Sequence, residues 1–323
     1  MPATWTGAPA GQRLLPILLN GGDGSDGAFS SSSSPNYSGI SGVSADGNAV
    51  YIGNFTTFAI NDGHTVTLDN SRNLLLATGA VTLGSGSSGV IDGDDNGPTG
   101  GSGIGSQGPS QAGHGWGRGE GGESNDSSDG GGGGGSGVNG TDGANHSNSG
   151  GKEQSWLDYF VTGDTNRIPG AGGGGAGCTQ MNVNAGGMGG DAGATLVIVS
   201  EVSITINDGF TWTSDGATGS NGTGTSGGGG GGAGGACILC APKITMAETT
   251  GTVIGLLGGS GGTGGGGSAN GGAGAVGRCV LLYQDWYSVG GTLMGSANLA
   301  SRTDPDAVAY QFRPYVGRSG RIL

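Results

Sequence analysis

Charge is scarce in this chain, and basic charge scarcer still. Only 11% of the 323 residues are Asp, Glu, Lys or Arg, and 24 acids outnumber 11 bases for a net charge of −13. That balance excludes a phosphate-backbone partner, because nucleic-acid binding needs a basic face. Long apolar runs are missing as well: nothing approaches the ~18 residues that a membrane-spanning helix requires. The short run Leu14–Leu19 has no basic region before it and no convincing cleavage site, so it does not read as a secretory leader. A protein made in the cytosol and assembled into a larger particle is the expected history.

Cysteine is rare too. Cys237 and Cys240 form a C-x-x-C, but it lies inside the apolar run ACILCA with no second pair and no neighbouring His. A zinc site wants four nitrogen or sulfur ligands at compatible spacing. With Cys178 and Cys279 they read as small buried hydrophobes in a reduced compartment. No metal and no cofactor is expected. The three histidines, His64, His114 and His146, accompany no nucleophile motif such as G-x-S-x-G. Glycosidases need two carboxylates about 5–9.5 Å apart, and no pair among the acids singles itself out. The chain is expected not to be an enzyme.

What the chain has is glycine: 83 of 323 residues, against a usual share of roughly 7%. There is no strict G-X-Y period and little proline, so collagen is excluded. The runs Gly130–Gly135 and Gly227–Gly232 can be neither helix nor stable strand, since each Gly costs about 1 kcal/mol against Ala in a helix and weakens a strand similarly. Two options remain, a disordered linker or a packed bundle of polyglycine II helices. In the latter, N–H and C=O groups point sideways and must find lateral partners.

Between the glycine tracts lie short β-like segments. Ala49–Asp69 alternates apolar and polar residues around an Asn-Asp-Gly turn signal. Ala194–Thr213 is the clearest strand pair. Ile60–Thr67 reads INDGHTVT and Ile206–Thr213 reads INDGFTWT, so six of eight positions agree across 146 residues. A looser echo joins SGVIDG near Ile91 to GTVIGL near Ile254. Repeating phrases and short strands predict a β-solenoid-like architecture, in which each rung buries its apolar face on its neighbours. Glycine tracts precede or follow each β segment of the C-terminal half, and a linker has no need to recur that way. The expected fold is therefore all-β with irregular structure and little or no α-helix: short-stranded β-solenoid-like segments plus a packed polyglycine II bundle.

The expected organisation is an attachment segment over 1–54, a short-stranded region over 55–96, a glycine-rich bundle with strands and exposed islands over 97–289, and a tail over 290–323. Trp5, Leu14, Leu15, Ile17 and Leu18 are the candidate attachment residues, either docking on a partner chain or tucking onto their own domain. Two acidic motifs resemble calcium loops. Gly21–Phe29 matches one copy of a β-roll nonapeptide, and Asp92–Gly97 opens like an EF-hand but has Gly103 where the bidentate Glu belongs. Both read better as acidic turns.

Two islands interrupt the glycine. One is His114–Glu120, with His114, Trp116 and Arg118. The other is Gly151–Ile168, almost free of glycine and carrying Trp156, Asp158, Tyr159 and Phe160. Aromatics on a loop held by a rigid scaffold are a common binding device; the other reading is that the second island caps a core end.

Tracts such as GGGGGGAGGA alternating with short variable islands resemble the glycine-rich distal adhesins of bacteriophage tail fibres, over residues 97–280. The resemblance implies a polyglycine II bundle bearing loops that bind a host surface receptor, protein or glycan. It also implies attachment to other virion proteins and location in the virion. The seven island residues just named, with Thr179–Asn184 as a further island, are then candidate receptor contacts, and a homo-oligomer is compatible with it. The arginine-bearing tail departs from the adhesins. A purely structural capsid or tail decoration or connector is the alternative, and an ice-binding bundle is disfavoured by the irregular islands.

Overall fold

A computed structural model of the chain describes residues 15–17, 20–47, 49–84, 88–103, 119, 129–135, 140–143, 164–165, 168, 172–177, 185–246, 253–289 and 307–314, with backbone alone for 15–17, 246, 253, 284–289 and 307–314. Among these there is no α-helix; single 3-10 turns lie at Tyr37–Gly39 and Gly265–Gly267. Among the described residues, no helix is long and apolar enough to cross a membrane.

Among the described residues, sixteen strands follow one another. They are β1 (Leu15–Ile17), β2 (Ala28–Ser30), β3 (Ser44–Ala45), β4 (Tyr51–Phe55), β5 (Thr57–Ile60), β6 (His64–Thr67), β7 (Arg72–Ala77) and β8 (Val81–Leu83). Then come β9 (Gly89–Asp92), β10 (Thr195–Ser200), β11 (Ser203–Ile206), β12 (Thr211–Thr213), β13 (Ala236–Met246), β14 (Val253–Gly255), β15 (Arg278–Val289) and β16 (Ala307–Pro314). Every pairing is parallel except β3 with β4. A curled open sheet of twelve strands contains the order β2-β5-β8-β11-β13-β10-β7-β4-β3, with β15, β16 and β1 continuing from β13. A second sheet runs β14-β12-β9-β6.

This order is a stack of repeated turns. β4-β5-β6, β7-β8-β9 and β10-β11-β12 each lay one strand on the corresponding strand of the turn before. Long β13 covers two positions at once, pairing first with β10 and then with β11. Residues 20–54 contribute to the same body, since Tyr37 and Ile40 join the main core.

The repeated phrases occupy equivalent places. Ile60 and Ile206 both align with Leu83, and Val66, Ile91, Trp212 and Ile254 form one continuous register. Three of the four shared letters of INDG have a visible job. The isoleucines are buried in the core. The asparagine amides donate back to the preceding turn, Asn61 to the Ser31 carbonyl at 2.6 Å and Asn207 to that of Gly84. The glycines, Gly63 and Gly209, take φ of 72° and 73°, which a side chain would strain.

The core lies inside the curl. Trp212, Tyr37, Phe55, Phe58 and Phe210 are among its largest fully buried side chains. Phe29 stacks on Phe58 at 4.7 Å and closes the first turn. Exposed sheet edges invite further pairing. Antiparallel β3 covers one edge of β4, and at the other end of the sheet β1 carries Pro16, which has no N–H to donate.

The glycine tracts leave and rejoin this stack between strands. Residues 93–194 join β9 to β10, 214–235 join β12 to β13, and 256–277 join β14 to β15. Strands on either side of each excursion remain in register, so the stack is continuous beneath them.

Candidate functional site

The glycine excursions pack into a lattice, and the tract 226–235 is its centre. Its N–H groups serve three neighbours in rotation. Gly228, Gly231 and Gly234 donate to Ala269, Gly272 and Ala275 at 2.9 Å. Gly229, Gly232 and Gly235 donate to Ser220, Ala217 and Ser214, and Gly230 and Ala233 to Gly175 and Gly172, at 2.7–3.0 Å. Its carbonyls accept from three more. Gly187, Gly190 and Gly193 donate to Gly227, Gly230 and Ala233; Gly131 and Gly134 to Gly228 and Gly231; Gly259, Gly262 and Gly265 to Gly232, Gly229 and Ser226. Six neighbours therefore surround one tract, each contacted at every third residue. A buried backbone without regular strands satisfies its polar groups this way.

Glycine is required by the spacing. A Cβ on Gly229 would run into the Met188 carbonyl, and one on Gly231 into that of Gly259. Backbone obstacles of this kind cannot swing aside. Where a tract faces solvent, other residues return at every third position: Ala185 and Met188, Thr218 and Asn221, Ser260 and Thr263, Asn270 and Ala273 are all exposed. Sequence reading missed this surface. The signal was available in the triplets AGGMGGD at 185–191 and GGSGGT at 258–263, a local period of three inside tracts read only as glycine-rich.

Carboxylates stitch the lattice to the stack. Asp94 Oδ1 accepts the N–H of Asp215 at 2.7 Å, and Asp215 Oδ1 accepts that of Leu257 at 2.5 Å, one turn further on. Asp191 Oδ1 accepts from Gly100 at 2.8 Å. Burial, with Asp94, Asp191 and Asp92 nearby, pushes the Asp95 carboxyl above its ordinary range. The EF-hand-like opening thus lies at a structural junction, with the Asp92 and Asp94 carboxylates accepting from backbone amides. In the nonapeptide-like segment, Asp26 likewise accepts the N–H of Asn54 at 2.6 Å. Among the described residues, no three His, Cys, Asp or Glu side chains converge as metal ligands.

The end of the lattice away from the strands holds the turns 223–226 and 265–268. Asn221 Oδ1 accepts the N–H of Thr263 at 2.8 Å, Asn270 Oδ1 accepts that of Gly264 at 3.0 Å, and the Thr223 hydroxyl donates to the Ala185 carbonyl at 3.0 Å. Neighbouring turns are thereby tied together, leaving Thr223, Gly224 and Thr225 exposed. Gly177 and Gly187 bond to each other, and Gly187 to Gly227, so the segment joining 177 to 185 starts and ends at this same far end.

The sequence-based candidates fall unevenly on this frame. His114, Trp116, Arg118, Trp156, Asp158, Tyr159 and Phe160 lie outside the described residues, as do Trp5, Leu14 and Leu18. Within the first island Gly119 is buried and donates to Gly173 at 3.0 Å, so the lattice includes that position. Leu15 and Ile17 are in β1, in register with Phe312 and Pro314 of β16. Thr165 and Ile168, at the end of the second island, reach back to the strand stack. Comparison with protein-family models, with curated proteins and with solved structures finds no match.

Proposed function

We propose that the stacked turns are a β-solenoid, that the glycine lattice is a polyglycine II bundle, and that the chain is a non-enzymatic protein of a bacteriophage virion. Its role in this reading is that of a tail-fibre or tail-tip adhesin. The observation that carries it is the six-neighbour arrangement around residues 226–235, with bonds to each neighbour recurring every third residue. Three residues per turn and no internal hydrogen bonds are the properties of a polyglycine II helix. Ordering so much glycine costs about 1–2 kcal/mol per residue in backbone entropy. A stiff, laterally bonded rod supported at one end is a reason to bear that cost, because it holds short segments at a fixed distance from the stack.

The receptor contacts in this reading are Thr179–Asn184, whose described flanking positions 177 and 185 lie at the far end, and His114, Trp116 and Arg118. The partners are a host surface protein or glycan and the neighbouring virion proteins. The β1 segment with Trp5, Leu14 and Leu18 is assigned to the particle side. Replacement of Thr179–Asn184 by a Gly-Ser linker, and separately of His114, Trp116 and Arg118 by Ala, is expected to lower particle adsorption at least tenfold while particles still assemble. Unchanged adsorption in both variants overturns the assignment. Gold-labelled antibody found away from the tail tip of intact particles would instead support a decoration or connector.

A further inference from the structure

The twelve-stranded sheet has a second apolar face, outside the curl. Ile52, Leu74, Val197, Ile238 and Val280 stand in one register across β4, β7, β10, β13 and β15, with Leu76, Val199, Cys240 and Leu282 in the adjoining row. In a stack of turns surrounded by water this face would be polar. Here Val197, Ile238, Cys240, Val280 and Leu282 have no exposed surface at all. Of the described residues in this cluster, only Ile168 comes from outside the strands and their immediate flank.

We propose that this outer face is the docking surface for the chain's own aromatic segment, Ser155–Val161, and that this segment is a core cover rather than a receptor contact. Its end is already in place: Ile168 is 1% exposed within the cluster, and the Thr165 hydroxyl donates to Asp46 Oδ2 at 2.5 Å, beside the β4 edge. The other end leaves the lattice near Gly143, which lies against Gly130. The 21 residues between 143 and 165 could extend to roughly 70 Å, ample for the return. From β4 to β15 the face is four inter-strand gaps wide, about 19 Å. The seven residues SWLDYFV extend to about 23 Å and carry Trp156, Leu157, Tyr159, Phe160 and Val161. Chemistry, length and the fixed end agree on one occupant. The inference goes beyond the adhesin reading and does not depend on it.

A photo-crosslinking benzophenone amino acid at position 160 of the full chain tests it. Irradiation is expected to link that position to peptides carrying residues 74–76, 197–199, 238–240 or 280–282. Links to the far-end turns 221–225 and 263–268, or none to the sheet, would overturn the proposal. Links from the sheet to residues 1–14 or 290–323, or to a second copy, would do the same by naming another occupant. Trp156→Phe supplies a second readout without a large folding penalty. If the proposal holds, the emission lost in this variant is blue-shifted and several-fold less quenched by acrylamide than that of free indole; a fully quenchable Trp156 sinks it. Adsorption is scored separately, so failure of the adhesin reading leaves these outcomes interpretable.

Discussion

Asp94 holds the backbone of Asp215 through a 2.7 Å bond from the Asp215 N–H to its carboxylate, and Asp215 holds Leu257 the same way. Three successive excursions thus leave the stack in step, each tied to the next where glycine takes over from strand. Asp94→Ala strands a part-buried amide and removes a charge-assisted bond, a loss of about 1.5–3 kcal/mol. Asp94→Asn keeps an acceptor at the same place and should recover most of it. Urea unfolding of both variants measures the difference, and equal stability of the two would refute the role.

The lattice itself predicts an inverted glycine rule. Gly229→Ala places a methyl against the Met188 carbonyl, and over-packing of about 1–3 kcal/mol becomes larger when the obstacle is backbone. Ser260→Ala and Ala273→Gly, on the exposed rows, should stay within about 0.5 kcal/mol of the parent. Amides of residues 228–235 should be among the slowest to exchange, since all are bonded within the lattice. Fast exchange there, or a harmless Gly229→Ala, would mean that the tracts are slack.

How much of this could be read from residues alone depends on where the information sits. The strands at Ile60–Thr67 and Ile206–Thr213 were legible because three of the INDG letters meet local demands: a core side chain, an amide reaching one turn back, a glycine at positive φ. Their echo at Ile91 and Ile254 was legible for the same reason, a shared register in the second sheet. The partners of Gly227–Gly235 were not, because one glycine tract carries no side chain to say which other tract it will lie beside. Which side faces water is encoded by the residues returning at every third position, as in the G-G-x triplets at 185–191 and 258–263. The outer apolar face was hidden differently: β10 reads TLVIVS, which alternation cannot divide into two faces when both are buried.

Asp95 gives a pH signature. Its carboxyl is pushed up by burial and by Asp94, Asp191 and Asp92, so the folded chain binds its proton more tightly than the unfolded chain does. Between the unfolded value near 3.8 and the raised folded one, stability therefore falls as pH rises, and above that window the full penalty is present. Asp95→Asn removes the charge and tolerates the residue's φ of 55°, a conformation Asn accepts well. The variant should melt slightly higher than the parent at pH 7, with the gap closing as pH falls through the raised value toward 3.8. A gap that is independent of pH, or of opposite sign, contradicts the electrostatic account.

Three thiols report on the core. Cys237 and Cys279 stand in register on β13 and β15 inside the curl, and Cys240 faces outward between Val199 and Leu282. All three are fully buried, and burial pushes the Cys237 and Cys240 thiols well above the usual range. The thiolate is the reactive species, so suppressed ionisation and exclusion of reagent act together. In native protein at pH 8, iodoacetamide should leave the peptides containing these three residues unmodified, and they should react fully once the chain is unfolded in guanidinium. The rate at low denaturant should follow the opening of the sheet. Cys240 labelling ahead of Cys237 and Cys279 would show that the outer face uncovers before the inner core opens, as expected if a separate segment covers it. Rapid labelling of all three in native protein would refute the packed stack.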